Sequence, residues 1–309
     1  MSTILPGTED GLARAADLLR AGHVVAVPTE TVYGLAARAD SAGAVAAIYR
    51  AKGRPAFNPL IVHVGSVEQA RQLAVFDHRA ELLARRFWPG PLTLVLPLHE
   101  ASGIVPAVTA GLGTVGLRLP AHPLMRALLD CVEFPLAAPS ANRSLGVSPT
   151  TPEHVAASLG DVVPAILDGG ACTQGLESTI VALRPEGTWS LLREGPVTRA
   201  ELAALLGSEP VEAGGGIEAP GQMARHYAPG KPVRLNAGEA QGDEFLIGFG
   251  PVGGDCTLSE AGDLAEAAAR LYACLHLAAA APHRRIAVAP VPQEGIGAAI
   301  NDRLRRAAA

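Results

Sequence analysis

Residues 207–232 hold six Gly and four Pro and carry neither a helical nor a strand period. Such a stretch cannot continue a packed layer. It divides the chain into two units, 1–206 and 233–309, joined by a linker that passes over a surface. With 309 residues, 49% of them hydrophobic, both units have enough apolar material for a core. Ahead of the break, short β-branched runs alternate with capped amphipathic segments. Leu12, Ala16 and Leu19 mark a helix over 9–21, and 23–27 is a buried strand. Further strands are expected at 60–64, 92–96, 114–119, 136–138, 180–183 and 190–193. Ser41, Ser66, Asp77, Thr151 and Thr198 are candidate helix caps. Behind the break, strands at 233–235, 245–249 and 286–289 surround an Ala-rich helix over 262–280. A basic-ended helix begins near 297. The pattern predicts an α/β chain.

Composition removes several function classes. No apolar run approaches the roughly 18 residues of a membrane span. The first residues place an acid pair where a secretion signal carries basic ones, so a cytoplasmic protein is expected. The four Cys are far apart without a C-x-x-C pair, which suits reduced thiols and no zinc site. A net charge of −5 opposes a broad phosphate-coating surface. Residues 111–116 and 248–253 match G-x-G-x-x-G, but neither match lies between a strand and an immediately following helix. The nine His lack metal-ligand spacing, and no metal ligands are expected.

The informative segment is Pro28-Thr29-Glu30-Thr31-Val32-Tyr33-Gly34-Leu35, at the C-terminal end of a buried strand. It packs hydroxyls, a carboxylate and a phenol where a plain turn uses Gly, Asn or Asp. Lys52 and Arg54 follow at a helix end. If the segment is extended, alternate side chains share a face and both cations point one way. Lys52 is the only Lys before residue 231, among 23 Arg. A compact ammonium suits a point contact on phosphate, and a guanidinium suits bidentate clamping. Asn58 and His63 come next. Arg118 sits in an apolar strand and needs an anionic partner, either a buried acid or a substrate carboxylate. Ala138-Pro139-Ser140-Ala141-Asn142, Glu177-Ser178-Thr179 and Arg193 add donors at strand ends. Many donors, several cations, no activated nucleophile and no carboxylate cluster suit a site that binds anions and orients two substrates.

These residues resemble the YrdC family of threonylcarbamoyl-AMP synthases. Pro28–Leu35 resembles its opening motif, Lys52-Gly53-Arg54 its K-x-R signature and Ser140-Ala141-Asn142 its S-x-N signature. Ser178–Val181 and Leu192–Gly195 also fit. Arg225–Pro229 and Ala299–Leu304 resemble the long form, which adds a small C-terminal domain. The resemblance implies a twisted mixed sheet flanked by helices, a class of mixed α+β, plus a small Rossmann-like α/β domain. It implies that L-threonine, bicarbonate or CO2, and ATP give threonylcarbamoyl-AMP and pyrophosphate, for N6-threonylcarbamoyladenosine formation in tRNA. Lys52, Arg54, Ser140 and Asn142 would be catalytic. Arg54, Asn58, Thr114, Ser140, Ser148, Arg193 and Tyr227 would contact ATP. Thr31, His63, Arg118, Ala138 and Ser178 would line the threonine pocket, where Arg118 meets the amino-acid carboxylate. Mg2+ would ride on the triphosphate. A downstream threonylcarbamoyl transferase would take the product, and contact with tRNA would be weak or indirect.

One departure stands out. The long form often carries a Lys and an aromatic in the linker, where this chain has Gln222, Met223 and Ala224. Two rival readings are a double-stranded RNA-binding module and a carbamoyl-transfer domain of hydrogenase-maturation type. The acidic balance and few aromatics oppose the first. The lack of C-x-x-C pairs opposes the second.

Overall fold

The computed structural model describes residues 2–55, 57–222 and 226–309. The first unit supplies strands β1 (Thr3–Leu5), β2 (Val25–Val27), β3 (Gly34–Arg38), β4 (Ile61–His63), β5 (Leu92–Pro97), β6 (Thr114–Arg118), β7 (Leu136–Ala137), β8 (Ala165–Leu167), β9 (Thr179–Leu183) and β10 (Trp189–Arg193). They form one mixed sheet in the order β1-β8-β2-β3-β7-β4-β6-β5-β9-β10. Parallel pairs such as β4·β6 and β5·β9 alternate with antiparallel ones such as β2·β3 and β5·β6. The twisted mixed sheet expected from the resemblance is therefore present. Helices cover both faces, because most central strands are buried along their whole length.

Local chemistry fixes where the helices start. The side chains of Ser41, Ser66, Asp77 and Thr151 each accept a backbone N–H of the first turn. Thr198 and Glu201 close a reciprocal capping box at Arg199–Leu206. Strands β1, β3 and β8 were not expected. Strands β1 and β8 have three residues each, too few to show a period, and β3 begins inside the segment read as a motif.

The second unit forms a fully parallel sheet of β11 (Val233–Arg234), β12 (Glu244–Gly248), β13 (Cys256–Thr257) and β14 (Arg285–Val288), in the order β11-β14-β12-β13. Helices Leu264–Ala280 and Gly297–Ala308 pack on it. This is the small Rossmann-like arrangement. Strand β13 escaped the sequence because it has two residues. The two units share apolar packing: Val32, Val147 and Leu176 are buried in one cluster with Tyr272, Leu275 and Ile300.

Lys231, whose role the sequence left open, donates to the carbonyls of Ala278 (2.8 Å) and Ala281 (2.6 Å). It thus closes the C-terminal end of the long Ala-rich helix, where a cation also meets the helix dipole. Lys231→Met should cost about 1–2 kcal/mol of stability. A calorimetric melt that does not shift would contradict that capping role.

Candidate active site

The site begins with a hydroxyl-stapled turn. Thr29 Oγ1 accepts from the backbone N–H groups of Thr31 (3.1 Å) and Val32 (3.2 Å), and donates to the carbonyl of Val32 (2.6 Å). It also shares a hydrogen bond with Thr31 Oγ1 at 2.8 Å. A Ser/Thr side chain mimics a backbone turn in this way. The turn presents Glu30 and Thr31 to Arg118, at the end of β6. Arg118 donates to Glu30 (2.6 Å), to Thr31 Oγ1 (2.9 Å) and to the carbonyl of Gly90 (3.2 Å). Burial opposes the charge of Glu30, yet Arg118 prevails and holds its carboxyl below the ordinary value. The anionic partner of Arg118 is thus a buried acid of the same chain. Of the two partners that the sequence left open, the buried acid is the one present, and Arg118 still faces the cleft.

That cleft is open to solvent and spans about 520 Å³. Thr31, His63, Arg118, Ala138 and Ser178 all line it, so the structure brings the five expected threonine contacts together. Arg54, Ser140, Arg193 and Tyr227 line the same cleft. Thr114 lies in an adjoining, more apolar cleft of about 270 Å³ that shares Ile61 and Pro220 with the first. Asn58, Ser148, Lys52 and Asn142 do not line the main cleft. Asn58 offers its carbonyl to Arg54 Nε at 3.4 Å. Ser148 Oγ donates to Glu177.

Lys52 differs most from its sequence expectation. The helix Ala42–Lys52 continues through it, and Gly53 ends that helix in the left-handed conformation (φ 59°). Lys52 and Arg54 therefore do not share an extended face. Lys52 is buried, and its Nζ donates to the carbonyls of Ser140 and Asn142. Its own carbonyl accepts from Ser144 N at 2.8 Å. Asn142 Nδ2 closes the same loop by donating to the carbonyls of Arg143 (2.9 Å) and Gly146 (2.8 Å). Lys52 and Asn142 hold the S-x-N loop in shape, and Ser140 is the member that reaches the cleft. Burial, then the neighbouring Arg54, pushes the Lys52 ammonium well below its ordinary pKa.

Two other cations face the cleft with no directly bonded carboxylate among the described residues, although the charge of Glu177 reaches Arg193. Arg54 is 9% exposed and Arg193 is 7% exposed. Among the described residues, neither forms an ion pair with a carboxylate. Arg54 donates to the carbonyl of Pro59 at 3.0 Å, and burial brings its pKa down to about 10. Arg193 donates to the carbonyl (2.9 Å) and hydroxyl (3.0 Å) of Ser178, and burial lowers its pKa as well. Two desolvated guanidiniums are costly unless an anion arrives.

The linker forms the remaining wall. Arg184 pairs with Glu218 at 2.6 Å, and Gln222 Oε1 accepts from Glu218 N (2.7 Å) and Ala219 N (2.9 Å). Pro220, Gly221, His226 and Tyr227 then reach the cleft. Gly221 has φ +86°, and a Cβ there would lie 3.0 Å from Arg193 Cδ, so the turn needs glycine. Gln222 thus has a structural task at the departure from the long-form pattern. Met223, Ala224 and Arg225 lie outside the described residues.

His63 and His226 are both buried, and burial first, then nearby cations, lowers each pKa to about 3. Below about pH 6.5 the unfolded chain takes up these protons and the folded chain does not. Stability is therefore full above about pH 6.5 and is lost as pH falls towards about 3. Each His should remove about 2 kcal/mol between pH 6.5 and 5. Melting curves at pH 7.5 and 5.0 check this, and equal melting temperatures would contradict it.

Comparison with known proteins bears on the whole chain. The family described as Telomere recombination matches residues 17–195, and the one described as Threonylcarbamoyl-AMP synthase, C-terminal domain, matches 197–309. The threonylcarbamoyl-AMP synthase of Bacillus subtilis is 40% identical, over 96% of this chain and 92% of that protein. The chain belongs to the threonylcarbamoyl-AMP synthase family. Among solved structures, Sua5 of Pyrococcus abyssi, crystallised with L-threonine, superposes with a TM-score of 0.91. It is 36% identical and the match covers 99% of this chain and 98% of that one. Full-length HypF, in its phosphate- and nucleotide-bound form, is 21% identical with a TM-score of 0.53, covering 59% of this chain and 28% of that one. That likeness is one of fold. The family's long form, with its C-terminal domain, is the form seen here.

Two buried acids wired to the site's arginines escaped the sequence reading. Glu30 and Glu177 were quoted inside motifs but received no task. Their partners are 88 residues away for Glu30 and up to 126 residues away for Glu177. An acid beside two hydroxyls at a strand end was the only local signal.

Proposed function

We infer that this threonylcarbamoyl-AMP synthase condenses L-threonine, bicarbonate or CO2, and ATP in the cleft between the large sheet and the linker. The observation that carries this reading is the convergence of Arg54 and Arg193, both buried and neither directly bonded to a carboxylate among the described residues, on the cleft that Thr31, His63 and Ser178 also line. A triphosphate supplies the missing negative charge. Arg118 keeps guanidinium N–H groups beyond the three it gives to Glu30, Thr31 and Gly90, which suits a substrate carboxylate.

The chemistry needs orientation more than a protein nucleophile. The threonine amine adds to bicarbonate or CO2, giving a carbamate (with loss of water from bicarbonate). A carbamate oxygen then attacks the α-phosphorus. A P–O bond forms, the α–β bridge breaks and pyrophosphate leaves. Arg54 and Arg193 offset the charge that develops on the leaving group, and Ser140 donates to phosphate oxygens. Thr114 lines the neighbouring apolar cleft, which suits the rest of the nucleotide. Lys52 and Asn142 act by holding the Ser140 loop, and Ser148 acts through Glu177.

Among the described residues, no three His, Cys, Asp or Glu are grouped to hold a metal ion. Glu30 and Glu177 are already engaged by arginines. Mg2+ would therefore be held by the triphosphate oxygens, where it neutralises charge. Residues 1–206 form the catalytic domain in this reading, 207–232 the linker over the site and 233–309 the small domain. The product is a reactive mixed anhydride, so a threonylcarbamoyl transferase must consume it to modify tRNA, and this chain need not grip tRNA. The reaction belongs in the cytoplasm, and no described helix is long and apolar enough to cross a membrane.

Pyrophosphate release measured with each amino acid in turn tests the reading. Release should require L-threonine and bicarbonate together. Release with ATP alone, or with any amino acid equally, would refute it.

A further inference from the structure

The strongest unassigned feature is a buried polar junction between the two units. Its centre is Glu177, which lines the cleft. Ser148 Oγ donates to Oε1 of Glu177, Tyr272 Oη donates to Oε2 at 2.7 Å, and Arg303 Nε donates to Oε2 at 3.0 Å. Tyr272 and Arg303 belong to the small unit's two helices. The Arg303 side chain has no solvent exposure, so its charge exists only for its neighbours. Its remaining nitrogens donate to the carbonyl of Glu194 (2.9 Å), next to Arg193, and to Asp302 (2.9 Å). Its guanidinium also lies 5.3 Å from the ring centroid of Tyr227, on the linker.

Tyr227 needs such support. It has φ +61° in the left-handed region, which a bulky residue adopts only when its surroundings compel it. One side chain from the small unit therefore touches a cleft carboxylate, the backbone beside a cleft arginine and the aromatic wall of the linker. Burial opposes the charge of Glu177, but Arg303 and Arg193 bring its pKa down to about 2. A buried carboxylate stripped of Arg303 would lose its nearest countercharge.

We propose that Arg303 is a positioning residue through which the small domain fixes Glu177 and Tyr227 in the wall of the synthase cleft. It touches no reacting atom. Its importance for ATP use rests on the reading above, but its hold on Tyr227 does not.

The test compares wild type, Arg303→Leu and the double variant Glu177→Gln/Arg303→Leu as full chains. Hydrogen exchange reports on the linker through the His226 amide, bonded to the carbonyl of Arg306, and the Ala228 amide, bonded to the carbonyl of Leu145. In Arg303→Leu these amides should exchange at least tenfold faster, while the Val64 amide, bonded to the carbonyl of Arg118, keeps its wild-type rate. KM for ATP should rise at least tenfold, with L-threonine affinity within twofold of wild type. The double variant leaves no unpaired buried carboxylate, so it should regain melting temperature yet keep the fast linker exchange. If Arg303→Leu loosens the whole chain, the double variant decides. Wild-type exchange at residues 226–228 in the double variant, or in a folded Arg303→Leu, would overturn the proposal. A wild-type chain without threonine-dependent pyrophosphate release would overturn the functional reading, and exchange would still decide the role of Arg303.

Discussion

Lys52→Ala should reduce pyrophosphate release by roughly a hundredfold or more. The cause differs from the one its sequence suggests. Lys52 does not line the cleft; its Nζ bridges the carbonyls of Ser140 and Asn142 from beneath. Without it, the carbonyls of Ser140 and Asn142 lose this donor and the Ser140 loop is free to shift by a fraction of an ångström or more. Misplacement on that scale is enough to cost two orders of magnitude in an enzyme that works by orientation. The loss of these hydrogen bonds should also cost about 3 kcal/mol of stability. A domain of ordinary stability survives that, so circular dichroism should still show a folded chain at 25 °C. Wild-type turnover in Lys52→Ala would contradict the positioning role. So would a variant that binds ATP less tightly but turns over normally once saturated.

The second large effect concerns Arg54, and here stability and function should move in opposite directions. Arg54 is buried, its charge has no carboxylate partner among the described residues, and burial already lowers its pKa to about 10. Arg54→Met keeps the apolar stem and removes an uncompensated charge. The melting temperature should hold or rise, with a gain of about 1 kcal/mol. KM for ATP should rise roughly tenfold to a hundredfold, because a charge-assisted contact to phosphate is lost. L-threonine binding, followed by calorimetry without ATP, should be unaffected. An unchanged KM for ATP, or a melting temperature several degrees lower, would show that Arg54 serves the fold and not the nucleotide.

The sequence made the type of site legible but not its wiring. Thr29-x-Thr31, Ser140 and Ser178 stand at strand ends, and hydroxyls there are unusual enough to be noticed one segment at a time. The linker was visible for a similar reason, since glycine and proline end regular structure wherever they cluster. What the sequence did not show depends on distance or on one dihedral angle. The orientation of Lys52 follows from the helix running two residues further than Arg50 and from the left-handed Gly53. No spacing rule distinguishes that from an extended K-x-R. Arg118 announced its need for an anion, but whether Glu30 or a substrate supplied it depended on a contact across 88 residues. The Glu177 junction collects side chains 29, 95 and 126 residues away, and nothing local encodes such a meeting. Strands of two or three residues, such as β1 and β13, exist because neighbouring strands pair with them. They carry too little sequence for a period.

The small domain also gains a clearer purpose. Val32, Val147 and Leu176 of the first unit are buried in the small domain's core cluster. Removing residues 207–309 would expose them along with the cleft, so the truncated chain loses both a wall of the site and an apolar seat.

The most direct measurement follows the carbon. The protein is incubated with ATP, L-threonine and 13C-labelled bicarbonate, and the nucleotide products are analysed by mass spectrometry. The account predicts an adenylate that carries threonine and one heavy carbon, formed one for one with pyrophosphate. ATP turnover that gives ADP, or pyrophosphate with unlabelled AMP and no threonine-bearing adenylate, would contradict it.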